Sequence, residues 1–104
     1  MSGFRLHAEA FDDIDSIRKY VATDNPNAAD RLVTEFFQAI RSLVSFPHQA
    51  FRRADFGTDD LRFKLVREYV IAYAPDPRPL WILGVFHGRR SPRVIAAMLR
   101  SRFQ

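Results

Sequence analysis

Leu61-Arg62-Phe63-Lys64-Leu65-Val66-Arg67-Glu68-Tyr69-Val70-Ile71-Ala72-Tyr73 is where the hydrophobic period of this chain changes from helical to extended. Leu61, Phe63 and Leu65 alternate with Arg62 and Lys64, and Val66 continues the second set. Period-two alternation predicts a strand with one apolar and one cationic face. Tyr69 to Tyr73 is aromatic and β-branched and predicts a second strand. Downstream, Ala74-Pro75-Asp76-Pro77-Arg78-Pro79 is a turn by composition, and Leu80 to His87 is a third, mostly apolar strand expected at the sheet centre. Strands joined in sequence by short turns imply an antiparallel meander. Ser91-Pro92 then opens a short helix, with Ile95, Met98 and Leu99 facing inward.

Upstream the period is helical. From about Glu9 to Thr23, Phe11, Ile14, Ile17 and Val21 build one apolar face. Asp12, Asp13 and Asp15 lie in the early turns, where negative charge suits the helix dipole. Asp24-Asn25-Pro26-Asn27 breaks that helix and starts another, with Asn25 as cap and Pro26 at the first position. The second helix is expected to run to about Ser45, with a wide apolar face from Ala29 to Val44, and Phe46-Pro47 ends it. His48 to Asp60 is a polar loop containing Gly57, and Phe4-Arg5-Leu6 is a short first strand. The expected fold is α+β, ordered β-α-α-β-β-β-α, with a helical hairpin packed on one face of a small antiparallel sheet. A length of 104 residues leaves room for one domain, 1–104.

The 47% hydrophobic fraction and ten Phe point to a packed core rather than disorder. The chain has no Cys, which excludes disulfides, thiolate metal sites and thiol nucleophiles and fits a reducing cytoplasm. No signal peptide and no membrane span are expected, since no stretch approaches the ~20 apolar residues a span needs. Charge is uneven. Residues 1–60 carry a net −3 and residues 61–104 a net +7. Such asymmetry points to an acidic partner for the C-terminal half.

The strongest constellation is accordingly cationic: Arg62, Lys64, Arg67, His87, Arg89, Arg90 and Arg93. Should the meander pair as expected, they share one end or face, either as an anion-binding strip or as a solvated surface. His87 has no acid nearby in sequence to position it as a general base. Tyr69, Tyr73 and Trp81 read either as an aromatic partner surface or as sheet core. The acid pairs Asp12/Asp13 and Asp59/Asp60 read as helix-terminal charge and loop solvation. No metal-ligand spacing and no phosphate-cradling glycine motif is present, so neither metal nor cofactor is expected.

Four segments, in order, resemble the ParE branch of the ParE/RelE toxin superfamily: Ala10–Val21, Asp24–Val33, Leu61–Leu65 with Arg67–Tyr73, and Ile82–Arg90. The Asp-Asn-Pro-Asn-Ala-Ala turn and the His-Gly-Arg-Arg strand end carry most of it. The resemblance implies a cytoplasmic toxin of a type II toxin–antitoxin system, in a hetero-oligomer with a cognate antitoxin whose acidic or amphipathic segment folds on binding. It also implies DNA gyrase as the target of a protein-binding inhibitor. RelE-type toxins on this scaffold instead cleave messenger RNA on the ribosome, and Arg62, Lys64 and Arg90 match their basic positions. Two departures favour the ParE branch: Val70 follows Tyr69 where the RelE pattern has Arg, and residues 91–104 hold no Tyr.

Overall fold

A computed structural model describes residues 3–56, 60–76 and 78–103. Gly57, Asp59 and Pro77, assigned above to a loop, an acid pair and a turn, lie outside the described residues. The elements follow the expected order: β1 (Phe4–Leu6), α1 (Ala8–Ala22), α2 (Pro26–Ser45), a 3-10 helix (Ala54–Phe56), β2 (Arg62–Val66), β3 (Tyr69–Ala74), β4 (Leu80–His87) and α3 (Pro92–Arg102).

The hairpin turn forms as its residues dictate. Asn25 is extended, and its Oδ1 accepts the Ala28 N–H at 3.1 Å with Pro26 in the first turn of α2. Ala29, Leu32, Phe36, Ile40 and Leu43 of α2 are buried, as is Ile14 of α1. Phe11 does not join them. It is 58% exposed, and the smaller Ala10 sits at the close approach instead.

The meander β2–β3–β4 is antiparallel, and β1 adds to β4 in parallel, so the sheet is mixed, ordered β1-β4-β3-β2. β1 runs parallel because the chain returns to β4 only after crossing both helices and the meander. Both faces of the sheet are covered. The helical hairpin lies over Val66, Tyr69, Ile71, Tyr73, Leu80, Ile82 and Val85. The opposite face holds Phe63, Val70, Leu83 and Phe86, packed with Ile95 and Leu99 of α3. Burial on both sides explains why β3 is apolar throughout. The loop before β2 is less polar than its composition suggests: Phe51 bridges Phe63 through paired backbone bonds of 3.3 and 2.8 Å, and Phe56 is buried.

A one-residue bulge shapes β4. Ala72 faces Gly84 and Tyr73 faces Ile82, so Leu83 is the extra residue. Both the Ile82 and Leu83 carbonyls then face the β1 side. Ile82 accepts the His7 N–H at 2.9 Å, where β1 gives way to α1. Beyond that point no strand among the described residues covers the edge, and an ion pair takes its place. Arg102 Nη1 donates to Leu83 O at 3.0 Å and to Asp13 Oδ2 at 2.6 Å, and the same carboxylate oxygen accepts the Val85 N–H at 3.1 Å. The Arg102 side chain is 4% exposed. Gly84 makes room for it, since a Cβ there would lie 2.6 Å from Nη1 and 2.7 Å from the Phe86 ring.

Asp13→Ala would leave the buried guanidinium with only the exposed Glu9 carboxylate, 3.7 Å from its Nε, and is expected to destabilise by about 3–5 kcal/mol. Gly84→Ala is expected to cost about 1–3 kcal/mol by overpacking. Asp12→Ala, on the exposed side of the same turn, should stay within about 0.5 kcal/mol. Denaturant unfolding of the three variants checks this; equal effects of Asp12→Ala and Asp13→Ala would contradict it.

Candidate functional site

The candidate site lies at the end of the sheet where Val66, Tyr69 and His87 stand in one cross-strand row. Arg67 and Glu68 form the two-residue turn between β2 and β3. Arg67 has φ 54°, the left-handed conformation that a tight hairpin turn requires at its first central position. Glu68 O accepts the Gly88 N–H at 2.7 Å, which ties this turn to the segment leaving β4. Between these loops, α1 and α3 opens a cleft of about 900 Å³. Tyr69, His87, Arg89 and Arg90 line one part of it, and Ser16, Ile17 and Tyr20 of α1 and Met98 of α3 line the rest.

At its centre, the His87 ring meets Tyr69 edge-on at 5.4 Å, and Tyr69 meets Phe36 edge-on at 5.6 Å. His87 Nδ1 accepts the Arg89 N–H at 3.1 Å, leaving Nε2 as the ring's other polar atom. Burial pushes the Tyr69 phenol above its usual value, and the neighbouring Glu68 charge adds to this. Among the described residues, the guanidinium groups of Arg89, Arg90 and Arg93 have no partner and are exposed.

The cationic strip expected from sequence does not converge. Arg62 lies at the far end of β2, four residues or roughly 13 Å from Val66. Its Nη1 donates to Ala50 O at 3.1 Å and His48 O at 3.3 Å, so it holds the preceding loop. Lys64 is half-buried between the two ends. Arg67 sits at the right end but forms a two-point bond to Glu35 of α2, at 2.7 and 2.8 Å. That bond holds the Glu35 carboxyl below its usual range. His87, Arg89 and Arg90 are brought together in the cleft, and Arg93 follows in the first turn of α3.

The aromatic group also divides. Tyr69 lines the cleft. Tyr73 is fully buried and its hydroxyl donates to Pro47 O at 2.8 Å, so it offers no surface to a partner. This corrects the reading of Tyr73 as part of an aromatic partner surface: the hairpin covers the face of β3 from which it projects. Trp81 is half-buried under Arg5, 4.3 Å from its ring, and Phe103.

Sequence reasoning missed the Asp13–Arg102 pair, reading Asp13 as helix-terminal charge and leaving Arg102 out of the candidate residues. The signal was present. Ile95, Leu99 and Arg102 recur at four and three residues, which places Arg102 on the inward stripe of α3.

Residues 4–92, from β1 to the first residue of α3, match the model of the ParE toxin of the type II toxin–antitoxin system, parDE. The chain belongs to the ParE toxin family. No curated protein matches it. The fold of this ParE-family chain is thus that of the toxin of a type II toxin–antitoxin system. No helix among the described residues is long and apolar enough to cross a membrane.

The buried phenols carry a pH dependence. Tyr69 and Tyr73 are both raised above 10.0, chiefly by burial. The unfolded chain loses these protons first as pH rises, so stability is fully present below the usual phenol value and declines as pH climbs through the raised folded values. Tyr69→Phe should lessen this alkaline decline, read from unfolding midpoints across a pH series. An unchanged decline would place the perturbation elsewhere.

Proposed function

We propose that this chain is a cytoplasmic toxin that arrests DNA gyrase by binding it, and that a cognate antitoxin holds it inactive in a hetero-oligomer. Membership of the ParE family is the observation that carries the toxin role. What supports a binding rather than a cleaving mode is the placement of the basic groups. A nucleolytic site on this scaffold would call on Arg62, Lys64 and Arg90 together, with a tyrosine near them. Arg62 is engaged with the carbonyls of Ala50 and His48, roughly 13 Å along the strand from the row that ends at His87. Tyr69 is buried against the His87 ring, and both that burial and the neighbouring Glu68 carboxylate oppose a negative charge on its phenol. A transition state would therefore gain little charge stabilisation there. Contact with target or antitoxin is assigned instead to His87, Arg89, Arg90 and Arg93.

A second reading, a RelE-like ribosome-dependent endoribonuclease, draws support from the gathering of His87, Arg89 and Arg90 around Tyr69. Controlled expression of the chain alone in a bacterium, with DNA supercoiling and protein synthesis followed in one culture, separates the two. Early change in supercoiling while translation continues is the expected result. Early translational arrest with cut messages would replace it with the endoribonuclease reading. Arg89→Glu with Arg90→Glu should abolish the growth arrest while shifting stability by no more than about 0.5 kcal/mol, because neither side chain holds a partner among the described residues.

A further inference from the structure

The edge of β4 is only partly closed. β1 covers it as far as Ile82, and the Asp13–Arg102 pair covers Leu83 O and Val85 N–H. Because the Val85 N–H points away from β3, Val85 and, two residues on, His87 form the non-bonded rows of the β3–β4 ladder. The Gly88 N–H bond to Glu68 O has the same parity. Val85 C=O and His87 N–H therefore also face outward, and they open into the cleft in line with β1. The walls there are apolar, Ile17 from α1 on one side and Met98 from α3 on the other, with Tyr20 79% exposed. Arg89 and Arg90 stand at the same end without partners, and of the two acids lining the cleft Asp13 is already bonded.

We infer that this open edge seats an extended segment of the antitoxin, which pairs with Val85 C=O and His87 N–H as an added strand and sets a carboxylate against Arg89 and Arg90. The inference rests on the toxin–antitoxin reading above. An outward acceptor and donor in strand register, between apolar walls, match another peptide backbone. A phosphate backbone would use the arginines and leave these main-chain groups and walls unmatched. A second copy of this chain would bring a net charge of +4 to a cationic slot. The unpaired arginines, by contrast, favour an acidic segment and would speed its docking.

The test uses isotope-labelled protein and the product of the reading frame adjacent to its own as the antitoxin. In the free protein the Val85 amide should be protected from hydrogen exchange by Asp13 and the His87 amide should exchange freely. In the complex the His87 amide should become protected. His87→Pro and His87→Ala both remove the imidazole, and only His87→Pro also removes the N–H, which faces away from the ladder where an edge position tolerates its loss. His87→Pro should weaken binding about tenfold more than His87→Ala, which keeps the N–H. A complex that forms while the His87 amide still exchanges freely would overturn the inference and leave the antitoxin reading standing. Protection of His87 by purified gyrase but not by the neighbouring protein would also overturn it. Absence of any complex would overturn the antitoxin reading and this inference together. Should His87→Pro fail to fold, the exchange measurement on the unaltered chain decides alone.

Discussion

The pair between Asp13 and Arg102 organises this molecule. It joins α1, β4 and α3 at one point, and it does so where the first strand stops short. β1 spans only Phe4–Leu6, which leaves the backbone of β4 uncovered from Leu83 onward. An uncovered carbonyl and amide beneath two helices would be costly to leave unmade. One guanidinium and one carboxylate satisfy both and also each other. A buried ion pair contributes little net stability once its desolvation is counted. Here it bridges α1, α3 and the part of β4 that β1 leaves open, and it occupies that edge at Leu83 O and Val85 N–H. Among the described residues no buried side-chain nitrogen or oxygen is without a hydrogen-bond partner, so this interior charge is fully accommodated.

The same pair changes the meaning of the charge. The second part of the chain carries a net +7 from residue 61 onward, but much of that positive charge is internal business. Arg102 is buried against Asp13, Arg67 is held by Glu35, Arg62 by two loop carbonyls, and Arg78 by Pro75 O of its own turn. Among the described residues Arg89, Arg90, Arg93, Arg100 and the half-buried Lys64 hold no partner, and the first three of these lie on one short segment between β4 and α3, beside a cleft. A concentrated patch of this kind steers an acidic partner to one place more effectively than a strip spread over the sheet.

Much of the fold was legible because its signals are local. The period change at Leu61, the Asn25-Pro26 cap and the strand at Phe4–Leu6 each depend on neighbours a few residues apart, and all appear where the sequence places them. What escaped depends on distant partners. Phe11 matches the helical stripe by spacing, yet the approach of α1 to its neighbours admits Ala10 and turns Phe11 outward. Tyr73 and Tyr69 occupy the same face of β3, but only Tyr69 reaches the open end of the sheet. In β4, which reads only as a mostly apolar strand, the bulge at Leu83 arises from pairing with β3 and sets which side chains face each layer.

The amino-acid sequence by itself determined the elements, their order, the antiparallel meander and the toxin superfamily, because periodicity, caps and turn residues act over short spans of chain. It also showed that positive charge gathers after residue 60. Tertiary structure alone decided which of those charges remain free, because the partners of Arg62, Arg67 and Arg102 lie between 12 and 89 residues away. It likewise decided that β1 joins in parallel and ends early, and so left the edge of β4 open beside the unpaired arginines.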